Sequence, residues 1–178
     1  MTHTKIISQK KVFQSRHFHV DSIVIERFGK KFEKDIIEQT PTVLVIPYTK
    51  DGDIYLEEQY RDALEKTCLE VVAGTIDNND DPLDTAKREL EEEIGIKAKV
   101  WKQVATWDVL VTMRAKIHVF FATDLEMGKS NLQHDEVIDL VKMPLNRALE
   151  KIEQGEITGA SHIAAILLFD KMRIEGKI

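Results

Sequence analysis

The segment from residue 82 to residue 94 constrains the fold most strongly, because both of its ends carry helix signals. Asp81 can cap a helix that begins at Pro82, a residue suited to the first turn, and Gly95 can end it. At about 100° per residue, the apolar side chains of this helix fall on one face, which must pack against another layer of the protein. These side chains belong to Leu83, Ala86, Leu90 and Ile94.

A second face of the predicted helix is acidic. Glu89 and Glu93 are four residues apart and Glu92 lies between them, so the three side chains are neighbours. Like charges at this spacing repel by roughly 0.2–0.5 kcal/mol per pair, which a divalent cation can offset. Mg²⁺ prefers carboxylate oxygens and often shares the phosphates of a substrate. The alternative is an acidic face that only contacts solvent, as most runs of charge do.

The composition limits the class of protein. The chain has 178 residues, 43% of them hydrophobic, which suits one domain or one domain with a small appendage. Its formal net charge of -6 argues against sequence-independent binding to nucleic acid, which needs a basic face. The single cysteine, Cys68, fits a reduced, cytoplasmic setting. We expect a soluble protein, because no apolar run suits a secretory signal or a membrane span.

Strand and helix patterns alternate irregularly along the chain. Residues 1–41 predict a small antiparallel sheet, and the main domain, residues 42–178, opens with a buried strand. Strands are predicted at 20–25, 33–38, 43–46, 54–60, 100–105, 116–123 and 137–143, and further helices at 144–154 and 161–173. Short strands in this irregular order favour a mixed α/β sandwich over a doubly wound parallel sheet.

The sequence around the acidic helix matches a known signature. From Gly74 to Ile96 it reads Gly-x5-Asp-x7-Arg-Glu-Leu-x-Glu-Glu-x-Gly-Ile. This resembles the Nudix box, a loop–helix–loop signature, with one departure, since Asp80 stands where the family has Glu. The resemblance implies an α/β/α sandwich with a mixed sheet. It also implies a hydrolase that acts on a nucleoside diphosphate linked to another group.

The resemblance assigns roles to residues of the box. It implies that Glu89 and Glu93 bind a metal ion, that Glu92 supports them, and that Ala73 offers its backbone carbonyl. Arg88 would orient the carboxylates of the helix. We expect Mg²⁺ as the cofactor, with Mn²⁺ as an alternative.

Outside the box, the chain resembles the ADP-ribose pyrophosphatase subgroup. The similarity lies in the segments 28–33, 59–61, 69–74 and 155–165. In that subgroup the N-terminal sheet crosses to a partner subunit. The resemblance therefore implies a homodimer that holds a small-molecule substrate between its two chains.

The same resemblance points to residues that contact the substrate. Arg61 would contact the diphosphate, because its guanidinium matches phosphate geometry. Lys34 aligns with a basic position that contacts phosphate, and Phe18 or His17 would stack on the base. A surface ion pair is the alternative for Arg61, a core position for Phe18, and solvent exposure for Lys34. For His17 and His19, an exposed strand is favoured over a metal site.

Two segments depart from the subgroup. Residues 109–115 lack the proline, the glycine and the acidic residue that the subgroup carries before the following strand. Residues 133–136 read Gln-His-Asp-Glu and stand where the subgroup carries its proposed general base. Glu136 matches an acidic position there, and the base is Glu136, Asp135 or His134.

Three functions remain open at this point. The first is hydrolysis of ADP-ribose to AMP and ribose 5-phosphate. The second is hydrolysis of a nucleotide sugar of the GDP-mannose type, which the altered segment 109–115 favours. The third is a Nudix-fold module that binds a nucleotide without cleaving it, and the intact Glu89, Glu92 and Glu93 count against it.

Overall fold

The computed structural model describes residues 4–77, 80–132 and 137–178. Within those ranges the strands are β1 (Lys5–Gln14), β2 (Phe18–Arg27), β3 (Lys30–Gln39), β4 (Thr42–Pro47), β5 (Asp53–Arg61), β6 (Lys66–Glu70), β7 (Val72–Thr75), β8 (Ile96–Asp108), β9 (Met113–Arg114), β10 (Lys116–Met127) and β11 (Ile138–Pro144). The helices are α1 (Pro82–Ile94), α2 (Leu145–Glu153) and α3 (Ala160–Ile174). None of these helices is long and apolar enough to cross a membrane.

Every predicted helix and strand is present, most of them with shifted ends. Helix α1 has the predicted bounds, whereas β8 and β10 contain 13 and 12 residues and are longer than expected. Four strands were not predicted: β1, β6, β7 and β9.

Strands β1, β2 and β3 form one compact unit with residues 107–117. Strands β1, β2 and β3 are antiparallel neighbours, and the short β9 adds to β3 in parallel. The β2–β3 turn places Phe28 and Gly29 at positive φ, 53° and 69°, as a two-residue hairpin turn of type I′ requires. The predicted antiparallel sheet is therefore extended by a parallel strand from the altered segment 109–115.

The second unit, residues 42–106 and 118–178, contains two sheets and the three helices. The strand orders are β7-β4-β10-β8 and β11-β5-β6. Phe120 of β10 is buried in one core cluster with Leu90 of α1, whereas Phe121 packs edge-on against Phe169 of α3, with ring centroids 5.1 Å apart. Because successive strand residues point to opposite faces, helices cover both sides of this sheet. This is the expected α/β/α sandwich.

Candidate active site

Helix α1 holds the acidic residues in a fixed position. Asp81 accepts a hydrogen bond from the backbone N–H of Leu83 at 2.8 Å, and Gly95 ends the helix in the left-handed conformation, with φ at 68°. The apolar face is buried in the core as predicted, with Leu83 partly buried at its edge. Both ends and one face of the helix are thus tied to the domain.

Of the three glutamates that the sequence places together on α1, at positions 89, 92 and 93, two are buried. Glu89 and Glu93 are each only 7% exposed, which rules out a face that merely contacts solvent. Gly74 of β7 makes room for the first of them, because a Cβ at residue 74 would lie 2.1 Å from Cγ of Glu89. Burial of neighbouring carboxylates is costly unless they are paired or bind a metal. We therefore expect Glu89 and Glu93 to have a functional role.

Arg88 bridges two carboxylates of the helix. Its Nη2 lies 2.9 Å from Oε1 of Glu89, and its Nη1 donates to Oε2 of Glu92 at 3.1 Å. Burial disfavours the charged guanidinium, but Glu89 and Glu92 outweigh this effect, so the pKa of Arg88 is raised. Arg88 stays charged and fixes the orientation of both acids.

A second acidic group lies on β5 and β6, and sequence reasoning did not assign it a role. Glu57 is fully buried and Glu70 is 7% exposed, and the two are cross-strand partners. Arg61 donates to Glu70 from Nε at 3.1 Å and from Nη2 at 2.5 Å. These hydrogen bonds raise the pKa of Arg61, burial opposes the rise, and the charges of Glu57 and Glu93 add to it. The ion pair of Arg61 is half-buried, rather than confined to the surface.

His162 of α3 was also missed. The backbone N–H of Val71 donates to its Nδ1 at 3.2 Å, and its Nε2 lies 3.7 Å from Oε2 of Glu70. Burial lowers the pKa of His162, the charge of Glu70 opposes this, and Arg61 lowers it further. The only sequence signal was a histidine in the first turn of a predicted helix, which does not by itself indicate a role.

The structure describes the predicted metal-binding residue Ala73 but does not describe the predicted general base. Ala73 lies on β7 as the partner of Leu44 on β4, where it is partly buried. Glu136, with Asp135 and His134, lies outside the described residues. The choice among the three as general base therefore stays a prediction.

The predicted substrate contacts Phe18 and Lys34 belong to the N-terminal unit. Phe18 is 39% exposed and stacks on Phe13 with ring centroids 5.6 Å apart, so it is not a core residue. Lys34 and His17 are exposed on the same unit.

His19 belongs to a polar network of the N-terminal unit. Its Nε2 lies 3.4 Å from Asp21 and 3.9 Å from Glu38. Gln9 donates to Asp21 at 2.6 Å and Arg114 lies 3.3 Å from Glu38, so both acids have other partners as well. His19 is partly buried and Asp21 is buried, so the choice between a strand surface and a metal site stays a prediction.

The sandwich and its buried acidic helix define the class of protein. The model of the NUDIX domain matches residues 38–162, so the chain belongs to the Nudix family and is a Nudix hydrolase. Among its relatives, an ADP-ribose pyrophosphatase from Bacillus subtilis (strain 168) is 30% identical over 167 residues, which cover 91% of this chain and 90% of the relative.

Two further comparisons agree with this class. The methanol dehydrogenase activator of Bacillus methanolicus is 29% identical over 91% of this chain and 90% of its own length. The crystal structure of an ADP compounds hydrolase shares the fold, with a TM-score of 0.86, 22% identity, and coverage of 98% of this chain and 97% of the other. Together with the relatives named ADP-ribose pyrophosphatase, these comparisons show a chain that resembles this subgroup of Nudix hydrolases.

The residues of α1 fit a divalent cation. Nudix hydrolases generally use such ions, and Glu89 and Glu93 provide hard oxygen donors one helical turn apart. Gly74 and Arg88 confine Glu89, so its carboxylate is held in place before any ligand binds.

Proposed function

We propose that this chain hydrolyses the diphosphate of ADP-ribose in the presence of Mg²⁺, with Mn²⁺ as a substitute, and releases AMP and ribose 5-phosphate. The observation that carries the proposal is the burial of Glu89 and Glu93 on one face of a helix with a Nudix box. Relatives named ADP-ribose pyrophosphatase support the choice of substrate.

In this proposal the charged residues of the box on α1 have distinct roles. Glu89 and Glu93 hold the cation, with support from Glu92 and from the carbonyl of Ala73. When bound, the cation neutralises the diphosphate and makes the attacking water more acidic. Arg88 keeps Glu89 and Glu92 in position through the contacts described above.

The remaining residues bind the substrate and accept a proton. Arg61 contacts the diphosphate with the part of its guanidinium that is turned away from Glu70, and Lys34 contacts a phosphate. Phe18, which is exposed, stacks on the base. Glu136, or one of its two neighbours, accepts a proton from the attacking water.

Hydrolysis of a substrate panel tests the choice of ADP-ribose. With Mg²⁺ held constant, kcat/KM for ADP-ribose should exceed that for GDP-mannose by about tenfold or more, a difference of about 1.4 kcal/mol in transition-state binding. GDP-mannose is the second candidate, because the segment 109–115 lacks the residues typical of the subgroup. A higher kcat/KM for GDP-mannose would replace the first proposal with the second.

We also propose a homodimer built through residues 1–41. Strand β1 is exposed along its whole length in the single chain, including Ile6, Ile7, Val12 and Phe13. An apolar strand surface of this kind favours association with another chain. A two-fold axis would bring the same surface of a second copy against it.

A charge on β1 should weaken this dimer. Val12→Glu should raise the dimer dissociation constant by about tenfold or more in sedimentation, because it places a carboxylate in an apolar contact. Val100→Glu is a matched control, since Val12 and Val100 are both 53% exposed and Val100 lies on β8. A wild-type monomer at micromolar concentration would contradict the proposed dimer.

A further inference from the structure

The contacts of His162 connect a helix to the arginine of the candidate site. Glu70 is the central group, because it accepts hydrogen bonds from Arg61 on one side and faces Nε2 of His162 at 3.7 Å on the other. The side chain of Glu70 is 9% exposed and that of His162 is 14% exposed. Both side chains are therefore largely shielded from solvent. A polar contact in such an environment is stronger than the same contact in water.

The ring of His162 has a defined orientation. Its Nδ1 accepts the backbone N–H of Val71, which leaves Nε2 as the protonated nitrogen of the neutral ring. The same ring fills the space above Gly159, where a Cβ would lie 2.6 Å from its Cδ2. The backbone N–H of Val71, between β6 and β7, and the close approach of Gly159, the N-cap of α3, therefore hold the ring with its Nε2–H toward Glu70.

We propose that His162 is a positioning residue, which orients Glu70 and through it presents Arg61 to the diphosphate of the substrate. The inference rests on the proposed role of Arg61 and adds a residue to it. His162 itself touches neither the substrate nor the metal in this scheme. Its removal should therefore affect the binding of the diphosphate and spare the chemical step.

The kinetic test separates these two effects. His162→Asn keeps an acceptor near the Val71 N–H but cannot reach Glu70, and KM should rise about tenfold with kcat within about twofold. His162→Gln places an amide donor nearer the position of Nε2 and should restore most of the lost affinity. Ser161→Ala, at the preceding residue, is the control and should behave as wild type. A fall in kcat with KM unchanged would overturn the proposal.

A double variant shows whether His162 acts through Arg61. Arg61→Ala should raise KM, and His162→Asn should add no further increase in that background. The effects of two substitutions are not additive when one residue acts through the other. Additive effects would contradict the proposal. If the wild-type chain does not cleave ADP-ribose, the proposed substrate is wrong, and the same comparison is then made on the affinity for ADP by calorimetry.

Protonation of the ring should have the same effect as its removal. The charged groups that face His162 are Glu70 on β6 and Arg61 on β5. Because the pKa is lowered from 6.5, the ring is neutral above that pH and gains its proton only at lower pH. The protonated ring would lose the Val71 contact and compete with Arg61 for Glu70. KM of the wild type should therefore rise below pH 6.5, and that of His162→Asn should lack this rise.

A spectroscopic measurement tests the orientation without any variant or substrate. The ¹⁵N chemical shifts of the His162 ring should report the Nε2–H tautomer above pH 6.5, where the ring is neutral. The Nδ1–H tautomer would overturn the proposal, because the ring would then present an acceptor to Glu70.

Discussion

Replacement of Glu93 by glutamine should lower kcat for ADP-ribose by roughly 10²- to 10³-fold, the size of effect seen when one group that stabilises transition-state charge is lost. The substitution keeps the volume of a side chain that is only 7% exposed. It removes the negative charge, and an amide is a poorer ligand than a carboxylate for a hard divalent cation. The fold should survive, and a steady-state assay at saturating Mg²⁺ with a thermal melt of the same sample measures both quantities.

Glu91→Gln is the matched control for this experiment. Glu91 lies on the same helix, but its side chain is 50% exposed and pairs with Lys97 at 2.8 Å. An exposed pair of this kind contributes little to stability, so we expect kcat within about twofold of wild type. Full activity in Glu93→Gln, or an equal loss in Glu91→Gln, would remove the metal-binding role from Glu93.

The second large effect is expected at Gly74. Alanine at this position would place its Cβ 2.1 Å from Cγ and 2.2 Å from Cδ of Glu89, so the glutamate has to leave its position. Misplacement of a catalytic group by about 1 Å can cost roughly 100-fold in rate, and we expect a loss of that order in kcat. Overpacking also costs about 1–3 kcal/mol of unfolding free energy where the neighbours cannot move.

A double variant identifies the cause of the Gly74 effect. In a Glu89→Ala background the obstructing atoms are absent, so Gly74→Ala should lower the unfolding free energy less than it does in wild type. Urea denaturation of the four proteins measures this difference. Wild-type activity in Gly74→Ala would show that the packing of Glu89 against β7 is not required.

Local signals explain which elements the sequence predicts well. The bounds of α1 match because the capping side chain of Asp81, Pro82 and Gly95 each act within one turn of the helix. Strand β1 escaped prediction because none of its residues is buried in this chain, so no face imposes an alternating pattern. The short strands β6 and β7 are defined by pairing with β5 and β4, which a local pattern does not reveal.

The residues of the candidate site also differ in whether a local sequence pattern or only the tertiary fold reveals them. The box identifies Glu89, Glu92 and Glu93 because their spacing along a helix is itself the signal. Glu57 and Glu70 were not identified, since a glutamate in a strand looks polar and exposed, and only the paired strands show that both are buried. His162 is 91 residues from Val71 in sequence, so its contact depends entirely on the tertiary fold.

The most direct test of the central claim is the reaction of the wild-type chain with ADP-ribose, followed by chromatography of the products. We expect AMP and ribose 5-phosphate in equal amounts with Mg²⁺, no reaction after a chelator is added, and recovery when Mg²⁺ is returned in excess. Hydrolysis that continues in the presence of the chelator, or no release of AMP with Mg²⁺ present, would contradict a metal-dependent ADP-ribose hydrolase.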